Sequence, residues 1–316
     1  MDKIKLLKLR KIINQLDKEI INLLRKRSFI IPKVKKIKEH WPYKIAFKRE
    51  VDMASNLYKK DFGLYDKVYM QRIWREIISA TLKIECDLRI AIFQSPSFKN
   101  SAEIFPLWEI TKDHFGSHSN FSLNKDAKEI FSLIANKKAD CGIFQVPSPS
   151  NNNSIKAKSS KVCEQPWWSL FLQAEFKDLR INLILPHIQD FKLLVYHNLP
   201  SPNPQVSPSN QANYFQGVNA FCVTLNQKDV FSEQLFYILV AEKEVFIELD
   251  QITIIDKYYL TKYFYLVCSS YRLENLKKLI PSSIKIIFIG SSNSPIVLEA
   301  TVEGLGAPNR LKFLLP

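Results

Sequence analysis

The sequence predicts a multi-domain chain, all-helical over its first 86 residues and α/β thereafter. Residues 4–38 repeat apolar side chains at heptad spacing, the signature of a long amphipathic helix. From Leu88 the period changes, and short β-branched runs alternate with helical stretches. The formal net charge of +14 is concentrated at the front: residues 1–85 hold 22 Lys and Arg against 10 Asp and Glu, the rest 23 against 21.

In the first helix, Ile13, Ile20, Arg27 and Val34 fall at heptad position a and Leu9, Leu16, Leu23, Ile30 and Ile37 at d. A second helix is expected over Ala46–Lys60, with Met53, Ala54 and Leu57 inward and Gly63 supplying the stop. A third runs over Tyr65–Glu85, with stripes at Ile73, Ile77 and Ile84 and at Trp74 and Ile78. The first helix would be about 50 Å long at 1.5 Å per residue, and three helices of such unequal length cannot cover its seam. A homodimer through residues 4–38 is the natural solution.

Leu88–Phe93 reads as a strand, followed by helices at Ala127–Lys137 and Trp167–Ala174 and strands at Cys141–Val146, Arg180–Leu185 and Leu193–His197. Pro147–Lys161 and Leu199–Gln216 are rich in Pro, Ser and Asn and read as loops. From 218 the expected order is strand (218–225), helix (229–241), strand (245–255), strand (262–269), helix (272–280), strand (284–290), the βαββαβ order of a ferredoxin-like unit. The domains so drawn are 1–86, 87–217 and 218–316.

Composition excludes several classes. Seven glycines in 316 residues is far below the usual share of about 7%, and there is no GxGxxG or GxxxxGK[ST] loop to cradle phosphates. The five cysteines are scattered without CxxC, so neither a disulfide framework nor a metal site is indicated. No apolar run approaches a membrane span of roughly 20 residues, and the charged start is no signal peptide. A cytoplasmic protein without cofactor, metal or membrane contact is expected. The basic run Pro32–Lys38 (PKVKKIK) wraps around the helix and lacks stacking aromatics, so a solvated surface explains it better than nucleic-acid binding. His114 and His118 flank Gly116-Ser117 and read as a surface loop; Cys141 reads as a small core hydrophobe.

Arg27 is the anomaly in the seam, because a buried guanidinium needs an anion. An ion pair with Glu50 is one reading. The other is a ligand site, since Arg10 and Lys38 both occupy position e beside the same seam. Arg27 and Lys38 are about 16 Å apart along an ideal helix, within joint reach of one small ligand, whereas Arg10 is about 25 Å from Arg27. An antiparallel partner helix would bring a second Arg10 in. Glu50, Thr81 and Glu85 place polar groups on otherwise apolar stripes, with Arg49 beside Glu50. For Thr81 alone, a satisfied core hydroxyl is the simpler reading.

These residues at these spacings resemble the all-helical chorismate mutase family. The resemblance covers about residues 6–85, carried by Leu9-Arg10, Leu16-Asp17, Leu23-Leu24, Arg27, Lys38, Arg49-Glu50 and the run Arg72–Glu85. It implies a three-helix domain in an interlocked dimer that rearranges chorismate to prephenate without cofactor. Arg27 and the partner subunit's Arg10 would bind the substrate carboxylates, Lys38 would donate to the ether oxygen, and Glu50 would accept from the ring hydroxyl. Arg49 would stand beside it, and Thr81 near a carboxylate. Ala46 replaces an aspartate of several relatives. Glu85 stands where glutamine is commoner and would have to carry a proton to donate. Pro32 should kink the helix between Arg27 and Lys38.

The second half resembles prephenate dehydratase more faintly, through Leu88–Phe98 and Glu129–Val146. The expected Thr-Arg-Phe signature falls at Asn219-Ala220-Phe221, and too few residues precede it for a second lobe. Together with Pro166-Trp167-Trp168, this resembles mutases trailed by a degenerate dehydratase-like domain. The end of the chain is similar to the ACT regulatory fold without its Glu-Ser-Arg-Pro signature. The resemblance thus implies a chorismate mutase. A bifunctional mutase-dehydratase, a regulatory pseudoenzyme and a basic nucleic-acid-binding protein are the rival readings.

Overall fold

A computed structural model describes residues 2–41, 43–96, 101–147, 165–186, 188–190, 219–227, 233–243, 252–259, 262–292 and 296–298. The expected single helix over 4–38 is two: α1 (Asp2–Ser28) and α2 (Ile31–Lys38). Proline lacks an N–H and its ring clashes with the carbonyl four residues back, so the helix ends at Ser28 and restarts with Pro32 in its first turn, where no N–H is needed. The break falls at Phe29-Ile30, slightly ahead of the proline expected to cause a kink. Helices α3 (Phe47–Tyr58) and α4 (Lys67–Cys86) follow, close to the expected spans. Val51, not singled out from the pattern, is buried in α3, whereas Met53 and Leu57 are half-buried.

The α/β part is built on one nine-stranded sheet. Its elements are β1 (Arg89–Phe93), α5 (Ser101–Phe115), β2 (Asn120–Asn124), α6 (Ala127–Ala135), β3 (Cys141–Gln145), β4 (Leu179–Leu185), β5 (Ile188–Asp190), β6 (Ala220–Leu225), β7 (Gln234–Ala241), β8 (Ile252–Tyr259), β9 (Tyr263–Ser269), α7 (Leu273–Leu279), β10 (Lys285–Ser292) and β11 (Ile296–Leu298). The strand order is β2-β1-β3-β6-β4-β10-β7-β9-β8, and β5 pairs with β11 apart from it. β1 runs parallel to β2 and β3, and β4 parallel to β10; the other pairings in the large sheet are antiparallel. Trp167–Leu172 is a 3-10 helix, not the α-helix expected over 167–174. The expected strand 193–197 and both low-complexity stretches, apart from Pro147, lie outside the described residues.

Two expectations near the chain's end need correction. The strand opening the expected unit at 218 is β6, which lies between β3 and β4 in the first half of the sheet. The helix expected over 229–241 is the strand β7. Gln234–Ala241 (QLFYILVA) is buried along nearly its whole length, and a short apolar run covered on both faces has no period to distinguish strand from helix. The four strands β10-β7-β9-β8, with α7 before the last in sequence, have the order and antiparallel pairing of the ferredoxin-like unit. That unit therefore begins at 234.

The helical segment and the sheet share a core. Ile45, Phe47, Val51, Ile78 and Leu82 pack with Leu107 and Phe115 of α5 and with Ile90, Ile92, Ile143, Leu183 and Cys222 of the sheet. On the opposite face α6 and the 3-10 segment bury Phe131, Phe144, Trp168 and Phe176. By contrast α1 stands clear: Leu9, Ile13, Leu16, Ile20 and Leu23 are each more than half exposed. Among the described residues no helix is long and apolar enough to cross a membrane.

β10 bridges the two halves of the sheet, and its approach to β4 is possible because residue 290 is glycine. A Cβ there would stand 2.1 Å from the Ile181 carbonyl oxygen and 2.6 Å from its nitrogen, both rigid backbone atoms. Gly290→Ala is expected to lower unfolding stability by about 3 kcal/mol in urea titrations, as overpacking does; an unchanged midpoint would contradict the close approach.

Candidate active site

Lys38 is the last residue of α2, and Arg27 lies in the last turn of α1, so each cation caps the negative end of its helix. Both turn onto α4. Arg27 Nη1 donates to Thr81 Oγ1, which itself donates to the Ile77 carbonyl at 2.7 Å. Lys38 Nζ lies 2.7 Å from Glu85 Oε1, and both side chains are largely covered, at 15% and 7% exposure. Thr81 and Glu85 are four residues apart and share one face of α4, about 6 Å from each other along its axis. Two cations some 16 Å apart on an uninterrupted helix are thus gathered onto neighbouring groups, and the break before Pro32 is what permits it.

Glu50, in the first turn of α3, is buried. It pairs with Arg75 of α4, whose Nη1 lies 3.1 Å from Oε2, and not with Arg27. This corrects the reading of Arg27 and Glu50 as a structural pair. His114 Nε2 stands 3.7 Å from the same carboxylate oxygen. Burial pushes the Glu50 carboxyl above the usual range, against the opposing pull of Arg75, Lys38 and Arg49. Burial, and after it the charge of exposed Arg49, holds the Arg27 guanidinium pKa below its usual range. Ala46 is the residue preceding α3 and has no polar side chain to offer.

The site residues read from the sequence therefore divide. Arg27, Lys38, Thr81 and Glu85 meet in one cluster; Glu50 lies close enough for Lys38 and Arg49 to act on its charge. Arg10 is exposed on α1 and is not brought to them within the chain.

Sequence reading missed Arg75 and His114. Arg75 follows the stripe Arg75, Ile78, Leu82, Glu85, a helical spacing hidden inside the longer run already noted. His114 is not in a surface loop: it is buried in the last turn of α5. Gly116 was the missed signal. Its φ of +76° marks a helix stop, and a Cβ there would lie 2.3 Å from Ser79 Cβ, so glycine lets α5 press onto α4. Ser117 Oγ and N donate to Glu76 at 2.7 and 3.2 Å, and His118 N donates to Ser79 Oγ at 3.3 Å, completing the junction.

Residues 9–86 match the family model of chorismate mutase type II. This segment is a type II chorismate mutase domain. The bifunctional chorismate mutase/prephenate dehydratase of Aquifex aeolicus (strain VF5) is 26% identical over 145 residues, covering 44% of this chain and 38% of that protein. The chain thus spans well under half the length of the curated relative it matches. No solved structure matches it significantly.

Two expectations follow from the mutase domain's buried pair. Arg75→Ala strands the Glu50 carboxylate and should cost about 3 kcal/mol of stability by urea unfolding. Because the folded Glu50 pKa is raised, the native state holds a proton that the unfolded chain has lost above the ordinary glutamate range. Stability from this group is full below that range and is lost as pH rises through the folded value. The stability of the wild type relative to Glu50→Gln should accordingly fall as pH rises from about 4; a pH-independent difference would contradict the shift.

Proposed function

We propose that the chain is a cytoplasmic chorismate mutase that works as a homodimer and has no dehydratase activity. The observation that carries this reading is the convergence of Arg27 and Lys38 on Thr81 and Glu85 of one helix face. Chorismate is a ring compound with two carboxylates, and its rearrangement needs no group from outside the molecule. Holding the reactive conformer removes an entropic barrier, and fixed cations stabilise the ether oxygen as its C–O bond breaks.

In this reading Arg27 binds one carboxylate, with Thr81 beside it. Lys38 donates to the ether oxygen once substrate draws it from Glu85. Glu50 accepts from the ring hydroxyl, its buried charge supported by Arg75, and Arg49 adds positive potential at the exposed rim. The second carboxylate falls to the partner subunit's Arg10. Dimerisation through residues 4–38 is supported by the exposed seam of α1, since burying one such side chain is worth about 2 kcal/mol. Arg27 continues that seam at its heptad position, so a second α1 laid along it would reach the cluster.

The name of the Aquifex relative favours a second, bifunctional reading. Against it, Asn219-Ala220-Phe221 at the start of β6 offers neither the hydroxyl nor the guanidinium of the dehydratase signature. Formation of phenylpyruvate from prephenate by the purified chain would establish that second activity.

Chorismate consumption, followed by absorbance, tests the main reading. Arg27→Ala and Lys38→Ala should each lower kcat by about 100-fold or more, with the dimer intact by sedimentation; wild-type protein without turnover would end the proposal. Leu16→Glu should give a monomer without mutase activity.

A further inference from the structure

Trp41, Tyr43, Lys44, Ile45 and Phe47 lie between Lys38 and Glu50 in the chain, and they wall a cavity of about 140 Å³ against the sheet. The cavity lies at the starts of β1 and β3, beside Thr224, Leu225 and Gln227 at the end of β6. Ligand crevices of α/β sheets lie at the opposite, carboxyl ends of parallel strands. It is therefore not at that usual position.

Its lining is unbalanced in charge. Lys44, Arg89 and Lys137 face a single carboxylate, Asp140. Asp140 Oδ2 is already shared: Lys44 Nζ lies 3.1 Å from it, and the Arg89 backbone N and Nε donate to it at 2.8 and 3.4 Å. Lys44 keeps N–H groups to spare after that one contact, so the concave site favours an anion. Among the described residues Asp140 is the one carboxylate of the lining, and Lys44 and Arg89 already engage it.

Size and shape narrow the class further. A protein cavity of about 150 Å³ accepts a benzene molecule, so this one holds a single six-membered ring. Trp41 and Tyr43, with ring centroids 5.5 Å apart, provide an aromatic wall. Trp41 also touches the mutase cluster, since Lys38 Nζ stands 5.7 Å from the centre of its ring. Buried Gln227 donates to the Ile45 carbonyl at 2.8 Å, fastening the linker to the sheet just beyond the cavity.

We propose that this cavity binds a carboxylate carried on one six-membered ring, and that its occupancy reaches Lys38 through Trp41. The anion lies on Lys44 and Arg89 and the ring against Trp41. A zwitterionic amino acid would meet no unengaged carboxylate among the described lining residues. The binding is independent of the mutase reading; its effect on Lys38 rests on that reading.

Titration calorimetry of the full chain with benzoate tests the binding. One saturable site per chain is expected for the wild type and for Arg27→Ala. Lys44→Met and Trp41→Leu, checked for folding by circular dichroism, should each bind about ten-fold more weakly, the effect of one charge-assisted hydrogen bond or one aromatic contact. Benzyl alcohol and L-phenylalanine should not bind. Absence of saturable binding, or affinity unchanged in both variants, would overturn the proposal. So would affinity lost in Arg27→Ala but kept in Lys44→Met, which would place benzoate among the mutase cations.

Saturating benzoate should also change kcat for chorismate by about five-fold in the wild type and not in Lys44→Met. A purely competitive effect, raising KM alone, would refute the transmission to Lys38. A wild type that consumes no chorismate would remove the mutase reading, and calorimetry would still decide the site.

Discussion

The pair formed by Glu50 and Arg75 crosses from α3 to α4 in a space closed by apolar side chains and by His114 from α5. A carboxylate there cannot be left without its cation, and neither helix can slide without separating the two. α4 is therefore fixed against α3 by charge and against the sheet by packing, with Ile78 and Leu82 on the packed side. Thr81 and Glu85, on the same helix, inherit that position. The cations that meet them come from the ends of α1 and α2; α2 packs directly on α4, whereas α1 is exposed along its seam.

Charge is arranged in two tiers. Deep in the bundle, Arg75 and His114 lie around Glu50. Nearer the surface, Arg27, Lys38 and Arg49 outnumber Glu85, leaving an excess of positive charge to meet an anion. The high basic content of the first 85 residues is thus divided between two places. Much of it lies on the exposed faces of α1 and α2, and a smaller part is drawn inward at their C-terminal ends.

Most of the helical segment was legible because its signals are local: heptad spacing and the stripes in α4, although α3 ends at Tyr58, ahead of the Gly63 expected to stop it. Pro32 also told the truth about a discontinuity, though proline chemistry says only that a helix cannot run through residue 32, not where the upstream helix ends. The site was legible wherever a polar residue interrupted an apolar stripe, as at Arg27, Thr81 and Glu85. His114 was not, because its importance arises from a contact between residues 64 apart in sequence that no periodicity encodes. Strand β7 failed for a different reason: a run buried on both faces loses the alternation that identifies a strand. The place of β6 between β3 and β4 is likewise a long-range pairing, invisible until the chain has folded.

These contacts give the α/β region a physical role whatever its own chemistry. The core beneath α3 and α4 draws part of its side chains from each side: Phe47, Val51, Ile78 and Leu82 from the helices, Ile90, Ile143 and Leu183 from the sheet. Helices α3 and α4 alone would expose that face, and apolar surface of this extent is not left to water in a stable domain. Gly116 and the Glu76–Ser117 hydrogen bonds add a close junction at the same place. The sheet is thus part of what sets the cluster's geometry, because the helices that hold the cluster are folded against it.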